Sequence, residues 1–168
     1  ARRFIWAEYY LIRNDETGHR FLDLLINKAR AGVEVRLIYD AIGSLGLDSA
    51  RVHAIENFGG ATAEFLPLNP LRNRWSVHLR NHRKMIVVDG KVGFTGGMNV
   101  GDEYSGRTRR RGGMYFRDSH LRLHGPSVSA LAQLFAEDWN FATGETIIPS
   151  PPEKSAAPGE AIVAIVPS

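Results

Sequence analysis

The chain has 168 residues, 43% of them hydrophobic, which suits one domain with a sizeable core. It has no cysteine, so disulfides and thiolate metal ligands are excluded, and no stretch approaches the roughly 20 apolar residues of a membrane-spanning helix. The formal net charge of +3 favours anionic partners such as phospholipid surfaces, nucleic acid or phosphate esters, without choosing among them.

The first part of the chain alternates strand-like and helix-like patterns. Aromatic and β-branched runs indicate buried strands, and apolar residues at helical spacing separate them. A strand, a helix and a second strand predict a parallel pair with a right-handed crossover. The predicted strands are 4–12, 33–39 and 61–66, and the predicted helices are 18–31 and 47–58. This alternation predicts an α/β fold.

The second part begins with a β-hairpin and ends with a helix. Asp89-Gly90 is typical of a tight turn between two short apolar strands. A proline-containing stretch near the end predicts a linker. The predicted segments are a basic loop at 69–80, strands at 82–88 and 91–95, a polar loop at 100–113, a strand at 114–123, a helix at 125–142, a linker at 149–160 and a short strand at 161–166.

The first hairpin strand carries a pair of residues suited to phosphate chemistry. On a strand, alternate side chains share a face, so His82 and Lys84 stand side by side while Arg83 points the other way. An imidazole can attack phosphorus or carry a proton, and a fixed cation beside it can hold the phosphate oxygens. This pair suits phosphoryl transfer without a metal.

The returning strand leads into Gly96-Gly97-Met98-Asn99. A hairpin would bring these residues back beside His82. The two glycines would let the backbone approach a ligand closely, and the amide of Asn99 can donate to a phosphate oxygen. The spacing therefore predicts one phosphate-binding site built from both strands.

The whole pattern, H-x-K-x4-D-x6-G-G-x-N, resembles the HKD motif of the phospholipase D superfamily. The segments 81–84, 96–104 and 137–139 are similar to bacterial cardiolipin synthases. The resemblance implies an α-β-α sandwich with a mixed, largely parallel central sheet, and phosphodiester chemistry through a phosphohistidine intermediate without a cofactor. It also implies that residues 1–148 are a first HKD domain and that 161–168 begins the strand leading to a second HKD half.

The resemblance gives His82 the role of nucleophile, with Lys84 and Asn99 holding the phosphate oxygens. It makes Asp118 the candidate for orienting the second nitrogen of His82. Asp89 organises the hairpin, makes a structural ion pair or joins the chemistry. The expected catalytic residues are His82, Lys84, Asp89, Asn99 and Asp118, the expected substrate-binding residues are Gly96, Gly97, Arg80 and Arg83, and no metal is expected.

A complete site of this superfamily has two histidines, one of them the acid that protonates the leaving alcohol. No other histidine of this chain has a lysine two residues later. We therefore expect a second HKD half, supplied by a missing carboxyl-terminal domain or by a second copy of the chain.

The expected activity is that of a cardiolipin synthase, which converts phosphatidylglycerol into cardiolipin and glycerol. The alternatives are hydrolysis with water, by a phospholipase D or nuclease, and an incomplete module that only binds anions. The expected partners are an anionic phospholipid and a membrane surface, whereas nucleic acid is disfavoured. We expect a parent protein at the bacterial cytoplasmic membrane and a chain that is soluble on its own.

Overall fold

A computed structural model of the chain describes residues 1–66, 80–106, 115–149, 151 and 161–166. Within these ranges the chain forms six strands and three helices. The strands are β1 (Phe4–Tyr9), β2 (Glu34–Asp40), β3 (Ala61–Phe65), β4 (Lys84–Val88), β5 (Val92–Gly96) and β6 (His120–His124). The helices are α1 (Glu16–Arg30), α2 (Ser49–Asn57) and α3 (Ser127–Thr143).

The strands form one mixed sheet in the order β3-β2-β1-β4-β5-β6. β2 runs parallel to β1 and β3, whereas β4 is antiparallel to β1, β5 to β4, and β6 to β5. The predicted α/β fold with a mixed sheet is confirmed, but the sheet is parallel only from β1 to β3, a smaller part than predicted. The turn between β4 and β5 is too short for the crossover that a parallel pair needs.

Helices cover both faces of the sheet, as expected for an α-β-α sandwich. α1 and α2 pack on β2 and β3, and α3 packs on the opposite face. On the α3 side, Trp6 and Met85 join Phe135 and Trp139 in a buried cluster. Side chains of β4 alternate as predicted, because Met85 faces α3 while Ile86 packs against the core under α1 and α2. The α3 face is therefore closed by helix along β4.

Two predicted strands differ from the structure. The strand expected at 114–123 is confined to β6, and residues 115–119 have no regular structure. Residues 161–166 form no strand, because they pair with none of the described strands, although Ile165 packs against the core beneath α3. Residues 67–79, 107–114, 150 and 152–160, which include most of the predicted loops and linker, lie outside the described residues.

The described helices include none with the length and apolar composition required to cross a membrane.

Candidate active site

His82 and Lys84 lie at the start of β4, beside the end of β1. Because β4 runs antiparallel to β1, Lys84 pairs with Tyr9, the last residue of β1. The parallel strands β1 and β2 also end at this edge. Ligands of open α/β sheets bind outside the carboxyl ends of such strands.

His82 is exposed, and its imidazole stacks on the ring of Tyr10, with centroids 3.9 Å apart and an angle of 27° between the planes. Its carbonyl oxygen accepts a hydrogen bond from Lys84 Nζ at 2.5 Å. The backbone N–H of Tyr10 donates to the carbonyl of Arg83 at 3.2 Å. The histidine is thus held by its backbone and by one ring face, while the side chain remains open to a ligand.

Lys84 is largely withdrawn from water, with 9% of its surface exposed. Its Nζ lies 5.3 Å from the centroid of the Tyr10 ring. Burial lowers the pKa of Lys84, and the nearby carboxylate of Asp118 acts in the opposite direction. An ammonium with few water contacts attracts a phosphate more strongly than a fully hydrated one does.

Asn99 is fixed on both sides of its amide. Its Oδ1 accepts a hydrogen bond from the backbone N–H of Leu11 at 3.2 Å, and its Nδ2 donates to the hydroxyl of Tyr104 at 2.9 Å. Leu11 directly follows Tyr10, the residue that stacks on His82. The structure therefore connects Asn99 to the His82 end of β4, and one hydrogen of the Asn99 amide remains for a ligand.

Gly96 and Gly97 lie tightly against the segment that carries Asp118. The N–H of Gly97 donates to the carbonyl of Ser119 at 2.9 Å. A Cβ on Gly97 would lie 2.0 Å from Asp118 Oδ1, and one on Gly96, whose φ is +154°, would lie 2.3 Å from the Ser119 oxygen. Only glycine fits this approach. The glycines thus shape the site, and their contact with substrate stays a prediction.

Asp118 lies close enough to Lys84 and His120 to affect the pKa of each. Its Oδ1 accepts from the N–H of Ser119 at 3.0 Å. The predicted hydrogen bond to His82 is not among those formed by the described residues. Its role in orienting the nucleophile therefore stays a prediction.

His120 borders the site, although its sequence context offered it no role. Its Nδ1 is buried and has no hydrogen-bond partner among the residues described. Burial lowers the pKa of His120, and Asp118 opposes that effect. The backbone of His120 pairs with Gly96, so it stands directly behind the glycine turn.

The structure places Asp89 outside the site, at the opposite end of β4, so the catalytic assignment of Asp89 is corrected. Its carboxylate accepts hydrogen bonds from the backbone N–H groups of Arg2, Arg3 and Phe4 at 2.7–2.9 Å. Burial alone would raise the pKa of Asp89, but these hydrogen bonds outweigh it and lower that pKa. Asp89 ties the amino-terminal segment to the hairpin turn.

The two predicted substrate-binding arginines are held in ion pairs. Arg83 points to the α3 face, where its Nη1 lies 2.5 Å from Asp138 Oδ1, and the alternation of β4 keeps it away from Lys84. Arg80 Nη1 donates to Asp40 at 3.3 Å and to the Leu66 carbonyl at 3.0 Å. Each guanidinium compensates a buried carboxylate, and the direct contact of Arg80 and Arg83 with substrate stays a prediction.

Known proteins match most of the chain. A family described as "Cardiolipin synthase, PLD-like domain" matches residues 1–139. Proteins named cardiolipin synthase from Alkalihalophilus pseudofirmus and Geobacillus kaustophilus are each 43% identical to the chain, over 148 and 151 residues and 88% of its length. The chain spans about 29% of the length of these curated relatives.

Solved structures agree on the fold. A phospholipase D family member, Nuc from Salmonella typhimurium, superposes with a TM-score of 0.59 at 18% identity, over 84% of this chain and 81% of that one. A polyphosphate kinase from Porphyromonas gingivalis gives 0.53 at 12% identity, over 92% of this chain and 22% of that one. These structural likenesses show the fold alone. The family match over residues 1–139 shows that the chain belongs to the family of cardiolipin synthase PLD-like domains.

Proposed function

We propose that the chain is one half of a phosphatidyltransferase that makes cardiolipin from phosphatidylglycerol. The observation that carries this proposal is the pairing of an exposed His82 with a largely buried Lys84 at the ligand-binding edge of the sheet. The name of the relatives at 43% identity supports the choice of a lipid substrate over other phosphodiesters.

The proposed reaction has two displacements at one phosphorus atom. A ring nitrogen of His82 attacks the phosphodiester, an N–P bond forms, and the P–O bond to glycerol breaks. Lys84 and Asn99 hold the phosphate oxygens while charge shifts onto them. A histidine from the second half gives the leaving glycerol its proton. A hydroxyl of a second phosphatidylglycerol, losing its proton to that histidine, then attacks and releases His82.

Asp118 is the residue that we propose to orient His82 during this reaction. Its carboxylate lies against Gly97 and is close enough to Lys84 to affect the pKa of that residue, which places it near the motif. A carboxylate that accepts the N–H of one ring nitrogen leaves the other nitrogen free to attack. Asp118→Asn would retain the volume of the side chain and weaken that bond.

A second half with its own histidine completes the proposed site. A further domain of a longer protein supplies it, or a second copy of this chain does. The α1/α2 face of the sheet offers a place for such a partner, because Phe94 is only half-buried there and its neighbour Arg122 in β6 is exposed. A partner packed on that face would adjoin Lys84. The whole protein would act at a membrane, where its substrate resides.

Hydrolysis is the competing outcome, and the exposure of His82 favours it in the isolated chain. Water that reaches the phosphohistidine yields phosphatidic acid instead of cardiolipin. Exclusion of water by the second half would therefore separate transfer from hydrolysis.

The test is incubation of the chain with phosphatidylglycerol in mixed micelles, followed by mass spectrometry of the lipids, with His82→Ala as the matched variant. We expect cardiolipin or phosphatidic acid only from the unmutated chain if two copies assemble a site. If the chain alone does not turn over the lipid, binding can still be tested by NMR. Titration with phosphatidylglycerol should then shift the imidazole resonances of His82 more than titration with phosphatidylcholine does. Equal product from His82→Ala, or neither product nor a selective shift, would contradict the proposal.

A further inference from the structure

A pair of buried acidic residues lies behind the start of β4. Glu8 in β1 is 2% exposed and Asp138 in α3 is 8% exposed. Asp138 binds the guanidinium of Arg83, which compensates one negative charge. Glu8 Oε2 is buried and accepts no hydrogen bond from any residue that the structure describes. Two adjacent buried carboxylates would repel each other, so a second charge here would be costly.

The contact between the two carboxyl groups indicates where a proton lies. One amide nitrogen, Asn81 Nδ2, lies within hydrogen-bonding distance of both Glu8 Oε1 and Asp138 Oδ2, so the two carboxyl groups are neighbours, and their repulsion is relieved when one of them is protonated. Burial, followed by the charge and hydrogen bond of Asp138, raises the pKa of Glu8 well above its usual value, and Arg83 acts in the opposite direction. Because Arg83 pairs with Asp138, Glu8 is the member of the pair whose negative charge has no ion-pair partner among the described residues, and it is the one on which a proton relieves the repulsion.

Asn81 connects this pair to the nucleophile. Its Nδ2 donates to Glu8 Oε1 at 2.6 Å and to Asp138 Oδ2 at 3.1 Å. Its Oδ1 accepts from the backbone N–H of Arg83 at 3.0 Å, which closes an Asx turn. His82 is the middle residue of that turn. The two carboxyl groups accept both hydrogens of the Asn81 amide and so determine which way its oxygen points.

We propose that Glu8 and Asp138, sharing one proton, are positioning residues that fix the Asn81 amide and thereby the turn that carries His82. This inference uses the proposed function only in treating His82 as the reacting group. The charged groups facing Glu8 are Asp138 from α3 and Arg83 from the segment before β4. The Asp40–Arg80 ion pair, at 3.3 Å, lies further along the same face of the sheet.

The neutral form of Glu8 has a close substitute in glutamine. In Glu8→Gln, the side-chain oxygen can accept from Asn81, and the uncharged carboxamide, like a protonated acid, places no second negative charge beside Asp138. Glu8→Ala removes that acceptor and leaves a cavity. Asn81→Ala keeps the carboxyl pair and removes only the connection to His82. Glu64→Gln, at an exposed position of β3, is the matched control.

The experiment is a pH titration by carbon-13 NMR of the carboxyl groups, together with the imidazole resonances of His82 in each variant. We expect Glu8 to titrate at clearly higher pH than Glu64. We expect Glu8→Gln and Glu64→Gln to leave the His82 resonances in place, and Asn81→Ala to shift them. In the lipid assay, Asn81→Ala should lower kcat by about tenfold or more, because small misplacements of a reacting group are costly.

Three results would overturn the inference: titration of Glu8 together with Glu64, displacement of the His82 resonances by Glu8→Gln, or unchanged resonances in Asn81→Ala. If Glu8→Ala fails to fold, Asn81→Ala still decides, since it leaves the buried pair intact. The NMR results do not depend on turnover. Failure of the lipid assay with the unmutated chain would therefore count against the proposed function and not against the carboxyl pair.

Discussion

The two ends of β4 belong to one motif but differ in their surroundings. At the first end, His82 is exposed, Lys84 is largely desolvated, and the Asn99 amide retains a hydrogen for a ligand. At the other end, the Asp89 carboxylate is satisfied by the backbone of the amino-terminal segment. The five residues of β4, Lys84–Val88, separate the two ends by about 13 Å at 3.3 Å per residue step.

The residues of one sequence motif therefore need not lie in one site. Its histidine and lysine have unused bonding capacity, which a substrate can take up. Its aspartate accepts three backbone hydrogen bonds, and the turn beside it has positive φ at both Asp89 (55°) and Gly90 (70°). One end of the motif is therefore suited to chemistry and the other stabilises the fold. Substitutions at the two ends should separate activity from stability.

The largest effect should come from Lys84→Met, at the first end. Methionine retains the length of the side chain and removes the charge that holds the phosphate, so turnover of phosphatidylglycerol should fall by about 10² to 10³-fold. The free energy of unfolding in urea should change by less than about 1 kcal/mol, because losing the contacts of the ammonium is offset by losing the cost of its partial burial. Lys91→Met, at the exposed far end of the hairpin, is the control. Similar activity in both variants would mean that Lys84 does not contact phosphate.

At the second end, Asp89→Ala should do the reverse. Loss of the acceptor for Arg2, Arg3 and Phe4, and alanine at positive φ, should lower the free energy of unfolding by about 1–3 kcal/mol. Turnover per folded molecule should not change. Asp89→Asn tolerates the positive φ and keeps one acceptor oxygen, so its loss should be smaller. A fall in turnover with unchanged stability would return Asp89 to the chemistry.

The stability of the fold should depend on pH in opposite ways through Asp89 and Glu8, because the pKa of Asp89 is lowered and the pKa of Glu8 is raised. Asp89, with its lowered pKa, stabilises the fold above about pH 4 and loses that contribution as the pH falls through its folded pKa. Glu8, with its raised pKa, contributes fully below its unfolded pKa and loses that contribution as the pH rises through its folded pKa. Urea unfolding across pH measures both.

In that series, Asp89→Asn should flatten the acid side of the stability curve and Glu8→Gln the alkaline side. If stability falls as steeply with rising pH in Glu8→Gln as in the unmutated chain, the alkaline loss of stability belongs to another group.

The smallest effect should come from Tyr104→Phe. Its hydroxyl accepts from Asn99 at 2.9 Å, and its ring packs on Phe116 with centroids 5.3 Å apart, a contact that phenylalanine preserves. One lost hydrogen bond, worth about 0.5–1.5 kcal/mol, should weaken phosphatidylglycerol binding by about two- to tenfold. The KM in the micelle assay measures it. An unchanged KM would show that Asn99 is held well enough by Leu11.

The features that could be predicted from the sequence are local. The period of two places His82 and Lys84 on one side of β4, Asp89-Gly90 forms the turn, and the apolar spacing places α1, α2 and α3 close to their predicted ranges. Each of these features depends on residues a few positions apart, whose geometry is set by strand pleat, turn conformation and helical period. The spacing of the HKD motif also indicated the family, because the whole motif lies within one hairpin and can be read from the sequence alone.

The residues that surround that hairpin could not be predicted from local patterns, because long-range contacts bring them there. Asn81 meets Glu8 across 73 positions and Asp138 across 57, and Arg80 meets Asp40 across 40. Sheet order creates these contacts, and no local period encodes it. The buried carboxylates of Asp40 and Asp138 then hold Arg80 and Arg83 in ion pairs, since an unpaired charge buried beneath the sheet would be costly.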